Sequence, residues 1–305
     1  GVAGPSARPA PAGGGSGGAA GPPGQAPQAS GRPPFRVALI KFQRTGSSLL
    51  MDTLVQAACH GHLPECGLNW KEEIFSDICR GPSPSPRACR PETALQLIHR
   101  FSTCSGADSS CGWSLNLLRH GRLGLRVWDG IVKIISAQPM HVIFLTRENV
   151  AAQFLSYELG SARREVMHYP GFYRLPGSPS TCNAFRFSEC SKEQREWVDR
   201  RVSMQIGTRR LEASIKDYEK NNLIYHRVEA ALRAVNASNL DIMHLDYKDL
   251  FHGETWDALF RAAGCEGAPR PPMHGMSDYS RFIVNFDSVK RQTRAMGYEA
   301  ALLLA

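Results

Sequence analysis

Four runs along the chain are almost wholly apolar: residues 37–42, 123–128, 141–146 and 240–245. Strands covered on both faces lose the in–out alternation of a half-exposed strand, so each run predicts a buried strand. Between and after them the apolar positions fall three and four apart, the spacing of one helix face. This predicts helices over 47–58, with Leu49, Leu50, Leu54 and Val55 facing inward, and over 149–159, with Val150, Phe154 and Leu155 on one side. A long helix is expected over 192–220, with Trp197, Val202, Ile206, Leu211, Ile215 and Tyr218 inward. Shorter ones are expected over 92–101, 130–137, 222–235, 255–263 and 288–304, and a further one over 113–120 at the end of a Cys/Ser/Gly loop. Strands alternating with helices imply an α/β fold, an open parallel sheet flanked by helices on both faces.

Outside this pattern the chain changes character. Residues 1–34 are nearly all Gly, Pro, Ala and Ser, with no acidic residue. Such a segment cannot bury enough surface to offset its ordering entropy, which predicts a disordered linker or stem. Residues 79–91 and 160–190 are irregular and rich in Pro, and the second is a plausible acceptor-site loop.

Composition narrows the chemistry. The formal net charge of +8 over 305 residues suits an anionic ligand. Zinc-finger spacing, RNP-like aromatics and long basic runs are lacking, so phosphorylated small molecules or acidic glycans fit better than nucleic acid. No run reaches the roughly 18 apolar residues of a membrane helix, leaving membrane contact to an anchor outside this chain. Of nine cysteines, Cys66, Cys79, Cys89, Cys104 and Cys111 lie close together. Cys182 and Cys190 form a second close pair, while Cys59 and Cys265 stand apart. No CxxC or His/Cys spacing suits zinc. Cysteines clustered in loops favour disulfides over buried thiols, and hence a secretory compartment. The sequon Asn236-Ala237-Ser238 fits that setting.

The stretch 35–54 carries the first candidate site. A strand enters the turn Gln43-Arg44-Thr45-Gly46-Ser47-Ser48 and leaves it as a helix. Helix N-termini present N–H groups and a positive dipole end to anions. Thr45, Ser47 and Ser48 add hydroxyls, Gly46 lets the backbone come close, and Arg44 adds a fixed charge. This is a P-loop-like arrangement, although a bare serine-capped turn has the same outline. Arg147 follows the strand 141–146, where ligands bind in open α/β sheets, and Asn149, Gln153 and Ser156 share one face of the next helix. Two anion sites at strand ends suit a nucleotide with phosphates at two positions. Lys41 and Arg126 also fall near strand ends, where lone basic residues are normally solvated.

QRTGSSLL (43–50) resembles the 5′-phosphosulfate loop of sulfotransferases that use 3′-phosphoadenosine 5′-phosphosulfate, and LTRENVAAQFLS (145–156) resembles their 3′-phosphate segment. Weaker echoes are Lys71-Glu72-Glu73-Ile74-Phe75, Gly124-Leu125-Arg126-Val127 (the family's short second strand), 245–250 and 282–286. The likeness spans about 35–300 and is greatest to carbohydrate and glycolipid enzymes. It implies a sulfotransferase domain over 35–305 with a Cys-rich insert around 79–121, a Golgi or secretory setting, and no metal. The nucleotide is held by Arg44, Thr45, Gly46, Ser47, Ser48, Arg147 and Ser156. Glu73 matches the catalytic base, with Glu72, His60 and His62 as rivals. One departure stands: Arg147 to Ser156 is one residue longer than usual. Either the arginine sits one place earlier on the strand end, or Ser156 is not the 3′-phosphate ligand. The implied activity is sulfuryl transfer to an acceptor hydroxyl, expected on a glycan or glycolipid. A P-loop kinase or hydrolase is a weaker fit, since GxxxxGK[ST] is absent. An inactive nucleotide-binding lumenal protein of the same fold is the other alternative.

Overall fold

The computed structural model describes residues 35–60, 69–71, 73–75, 90–103, 110–176, 182, 187, 190–235, 237–271 and 278–298. The expectations for 1–34, Glu72, His62, the sequon's Asn236 and most of the Cys-rich insert lie outside them, as do the side chains of Cys59 and His60.

Five strands form a single sheet: β1 (Arg36–Lys41), β2 (Asn69–Lys71), β3 (Cys111–Leu115), β4 (Met140–Thr146) and β5 (Leu240–Asp246). Their order is β2-β3-β1-β4-β5, and every pairing is parallel. The chain therefore crosses from β1 to one side of the sheet and later returns to the other. β1 is central and its side chains alternate between two cores. Val37 and Leu39 pack with Leu50 and Leu54 of α1 (Ser47–His60). Ala38 and Ile40 share the opposite core with Trp113, Phe144 and Leu155.

On that second face lie α2 (Pro91–Ser102), α4 (Trp128–Ile135), α5 (Val150–Met167), α6 (Lys192–Asp199) and α7 (Thr208–Ala234). Between α2 and α4 comes α3 (Arg119–Arg126), interrupted by left-handed backbone. The face bearing α1 is completed by α8 (Gly253–Ala262), whose Trp256 and Phe260 are buried, and α9 (Phe286–Ala295) closes the described chain. All of these elements belong to one compact unit. Helices on both faces of a parallel sheet give the α/β architecture.

Three predicted elements are corrected. The run 123–128 (LGLRVW) is not a strand: it lies in α3 and the start of α4, with Leu123 and Val127 buried one turn apart on a helical face. The likeness of Gly124-Leu125-Arg126-Val127 to a strand falls with it. Its place in the sheet is taken by β3, CGWSL, in a stretch expected to be loop and helix. Trp113 and Leu115 are buried there, but Gly112 and Ser114 interrupt them, so no apolar run announces the strand. The helix expected over 192–220 is two, broken at 200–207, where Met204 bridges to Ile283. The second part continues without interruption through the helix placed at 222–235.

Cys182 and Cys190 form a disulfide. Cys111 is also disulfide-bonded, and Cys265 is a thiol. Among the described residues no helix is long and apolar enough to cross a membrane.

Candidate functional site

In the register of β1 and β4, Lys41 stands opposite Leu145, so the chains leave the sheet side by side. α1 then departs toward one face and α5 toward the other, which opens a crevice at their N-termini. The two candidate segments meet there. Arg147 Nη1 donates to Arg44 O at 3.4 Å, and Gln153 Nε2 donates to Gln43 O at 2.6 Å. Arg44 reaches across to α5, where its Nε donates to Ser156 Oγ at 3.2 Å and its Nη2 to Ser156 O at 3.1 Å.

The loop is built on unusual backbone. Arg44 has φ 63° and Gly46 φ 84°. A Cβ added at Gly46 would lie 2.7 Å from the Tyr247 ring, so only glycine fits. Leu50 N donates to Gly46 O, which makes that the first helical bond of α1 and leaves the N–H groups of its first turn pointing out of the helix end. Thr45 is fully buried, and its hydroxyl donates to Phe42 O at 2.8 Å. That hydroxyl braces the turn rather than facing the crevice.

Electrostatically the crevice is cationic. Burial pushes the Arg44 guanidinium below the ordinary arginine value; Tyr279 opposes the shift, while Arg147 and Arg163 add to it. Burial lowers Arg163 also, against the pull of Asp199. Arg147 is buried, with its guanidinium 4.3 Å above the Tyr247 ring. Glu148, its neighbour, is exposed and pairs with Lys248. Both Arg147 and Ser156 thus line the same crevice despite their longer spacing. Asn222 Nδ2 donates to Arg147 O at 3.0 Å, while Asn222 Oδ1 and Gln153 Oε1 are buried and find no hydrogen-bond partner among the described residues.

Beside Ser47 lies a second group. Lys41 Nζ sits 2.6 Å from Glu73 Oε1 and donates to Ser47 Oγ at 3.0 Å. Arg119 Nη1 is 3.3 Å from Glu73 Oε2. Glu73 has φ 51°, and its N–H donates to Ser114 Oγ on β3 at 2.9 Å. Of the four described non-glycine residues with positive φ, two are therefore Arg44 and Glu73, and strain of this kind gathers at functional sites.

Lys41 is 5% exposed, so its expected solvation is overturned: Glu73 and Ser47 replace water around its ammonium. Its place directly after Val37-Ala38-Leu39-Ile40, all fully buried, is what takes it out of water. Arg126 is exposed, as expected. Gly46 lies in the turn and Ser48 in the first turn of α1. Away from the crevice, His226, Glu229 and His244 bring ligand-type atoms within 4.8 Å of one another. Glu229 is engaged by Arg233 at 2.8 Å and by His244 Nδ1 at 2.5 Å, and His244 Nε2 meets Thr146 Oγ1 at 3.1 Å. This network ties α7 to β4 and β5.

No protein-family model matches the chain, and no curated protein matches it in sequence.

Proposed function

We propose that the crevice binds 3′-phosphoadenosine 5′-phosphosulfate and that the chain transfers its sulfuryl group to an acceptor hydroxyl on a glycan or glycolipid. The observation that carries this reading is Arg44: among the described residues no carboxylate pairs with its half-buried guanidinium, although it lies near the buried Arg147 and near Arg163, whose charge Asp199 balances. Buried charge is costly unless paired, so such a cluster favours an anionic ligand. The sheet order supports a P-loop-like fold, and the Cys182–Cys190 bridge supports an oxidising, Golgi-type compartment.

The chemistry follows from the contacts. The acceptor oxygen attacks sulfur in line as the bond from sulfur to the bridging phosphate oxygen breaks. Arg44 and the N-terminus of α1 stabilise charge building on that oxygen, which leaves with 3′,5′-bisphosphoadenosine. Arg147 and Ser156 hold the 3′-phosphate. Glu73 takes the acceptor proton, oriented by Lys41 and Ser114.

Titration calorimetry tests the donor half. 3′,5′-Bisphosphoadenosine is expected to bind without magnesium, and Arg44→Ala to weaken binding or transfer by about 100-fold. Preference for magnesium-ATP would instead favour a kinase or hydrolase. Labelled donor offered to glycans, glycolipids, tyrosyl peptides and small alcohols tests the acceptor half. Tight nucleotide binding with no transfer to any of them would make the chain a binding protein.

A further inference from the structure

We propose that Arg119 makes the acceptor end of the crevice selective for an anionic sugar, one carrying a carboxylate or sulfate beside the hydroxyl to be modified. The inference rests on the reading of Glu73 as the group that meets that hydroxyl.

The charge balance around Glu73 comes first. Its single carboxylate has two cations, Lys41 at 2.6 Å and Arg119 at 3.3 Å. Lys41 is buried and already neutralises it, so the charge on Arg119 is surplus. The two cations also differ in access: the Arg119 side chain is 46% exposed against 7% for Lys41. Arg119 Nη1 meets Glu73 while nearly half of the side chain stays open to solvent, so the guanidinium is accessible to a second anion. Its planar fork matches a carboxylate or sulfate, both of which offer two oxygens in a plane.

Position comes second. Arg119 follows the C-terminal end of β3, which pairs with β1 and so borders the crevice. It is held there by strained backbone: His120, Gly121 and Arg122 have φ of 51°, 67° and 61° in succession. Arg122 and Arg126 on the same segment are exposed, and among the described residues neither pairs with a carboxylate. The edge of the crevice that receives the acceptor is therefore cationic, and of the three arginines Arg119 is the one paired with Glu73 among the described residues.

The test compares the methyl glycosides of glucuronic acid, 6-sulfated glucose and glucose on the full chain loaded with 3′,5′-bisphosphoadenosine. Both acidic sugars are expected to bind about tenfold tighter than the neutral one, and Arg119→Gln to bring that ratio near one while Arg119→Lys keeps part of it. The ratio is the readout, because any disturbance of Glu73 affects all three sugars alike. Arg122→Gln serves as the control for diffuse charge. Equal binding of the three sugars by the wild type, a ratio unchanged in Arg119→Gln, or an equal loss in Arg122→Gln would overturn the proposal. Failure of bisphosphoadenosine to bind would count against the donor reading instead, and the sugar ratio, measured without nucleotide, would still decide the role of Arg119.

Discussion

Single residues at this crevice are fixed by what surrounds them. Gly46 combines a left-handed φ with a Tyr247 ring atom 2.7 Å from where its Cβ would go. Gly46→Ala should cost about 1–3 kcal/mol, measurable by urea unfolding, through strain and overlap together. Tyr218 behaves differently. Burial pushes its hydroxyl up to about 12, against a bond from Gln43 that pulls it down. The folded protein thus keeps a proton that the unfolded chain loses near pH 10. Stability is full below that pH and falls as pH rises from about 10 to 12, by up to about 2 kcal/mol. Tyr218→Phe should flatten that alkaline decline in pH-dependent unfolding curves. Neither constraint could be read from sequence, because both depend on partners more than a hundred residues away. At this scale the sequence shows that Arg44 and Arg147 follow strands, whereas the contact of Arg44 with Ser156 on α5 is visible only in the fold. Lys41 was missed because a lone lysine carries no sign of the glutamate that will meet it.

Secondary elements were legible where apolar runs were long. β1, β4 and β5 were expected within a residue or two of where they lie, and so were α1 and α2. β3 escaped because Gly112 and Ser114 break up the apolar run, although Trp113 and Leu115 are both buried in the core. LGLRVW misled because β-favouring residues in a helix are overruled by packing. The elements are also tied across the sheet by polar contacts. The Tyr225 hydroxyl on α7 donates to Lys41 O at 2.5 Å and accepts from Leu117 N at 3.1 Å, joining α7, β1 and the end of β3. Tyr225→Phe removes these two bonds and a third, to Asn116 Oδ1 at 3.1 Å, and leaves a buried N–H and C=O without them. The expected loss is about 1–3 kcal/mol, to be read from chemical denaturation. Because Lys41 is the residue whose carbonyl is held, the same variant should also loosen the crevice.

At the scale of the whole molecule, the surplus of basic over acidic residues and the arginines clustered at the crevice act in the same direction. With a net charge of +8, long-range attraction should speed and strengthen capture of a bisphosphate nucleotide. The affinity for 3′,5′-bisphosphoadenosine is therefore expected to fall several-fold from low to high ionic strength, as calorimetry at a series of salt concentrations would reveal. A salt-independent affinity would mean that attraction outside the crevice contributes nothing.

The close approach of Tyr247 to Gly46 has a consequence for how such a chain can change over generations. The ring that forbids a side chain at 46 is the same ring over which Arg147 lies, 4.3 Å away. Trimming Tyr247 to leucine would relieve the overlap part of Gly46→Ala but remove the aromatic seat of Arg147. Descendants that alter one of these three positions should therefore alter another with it, and the trio should be inherited as a block.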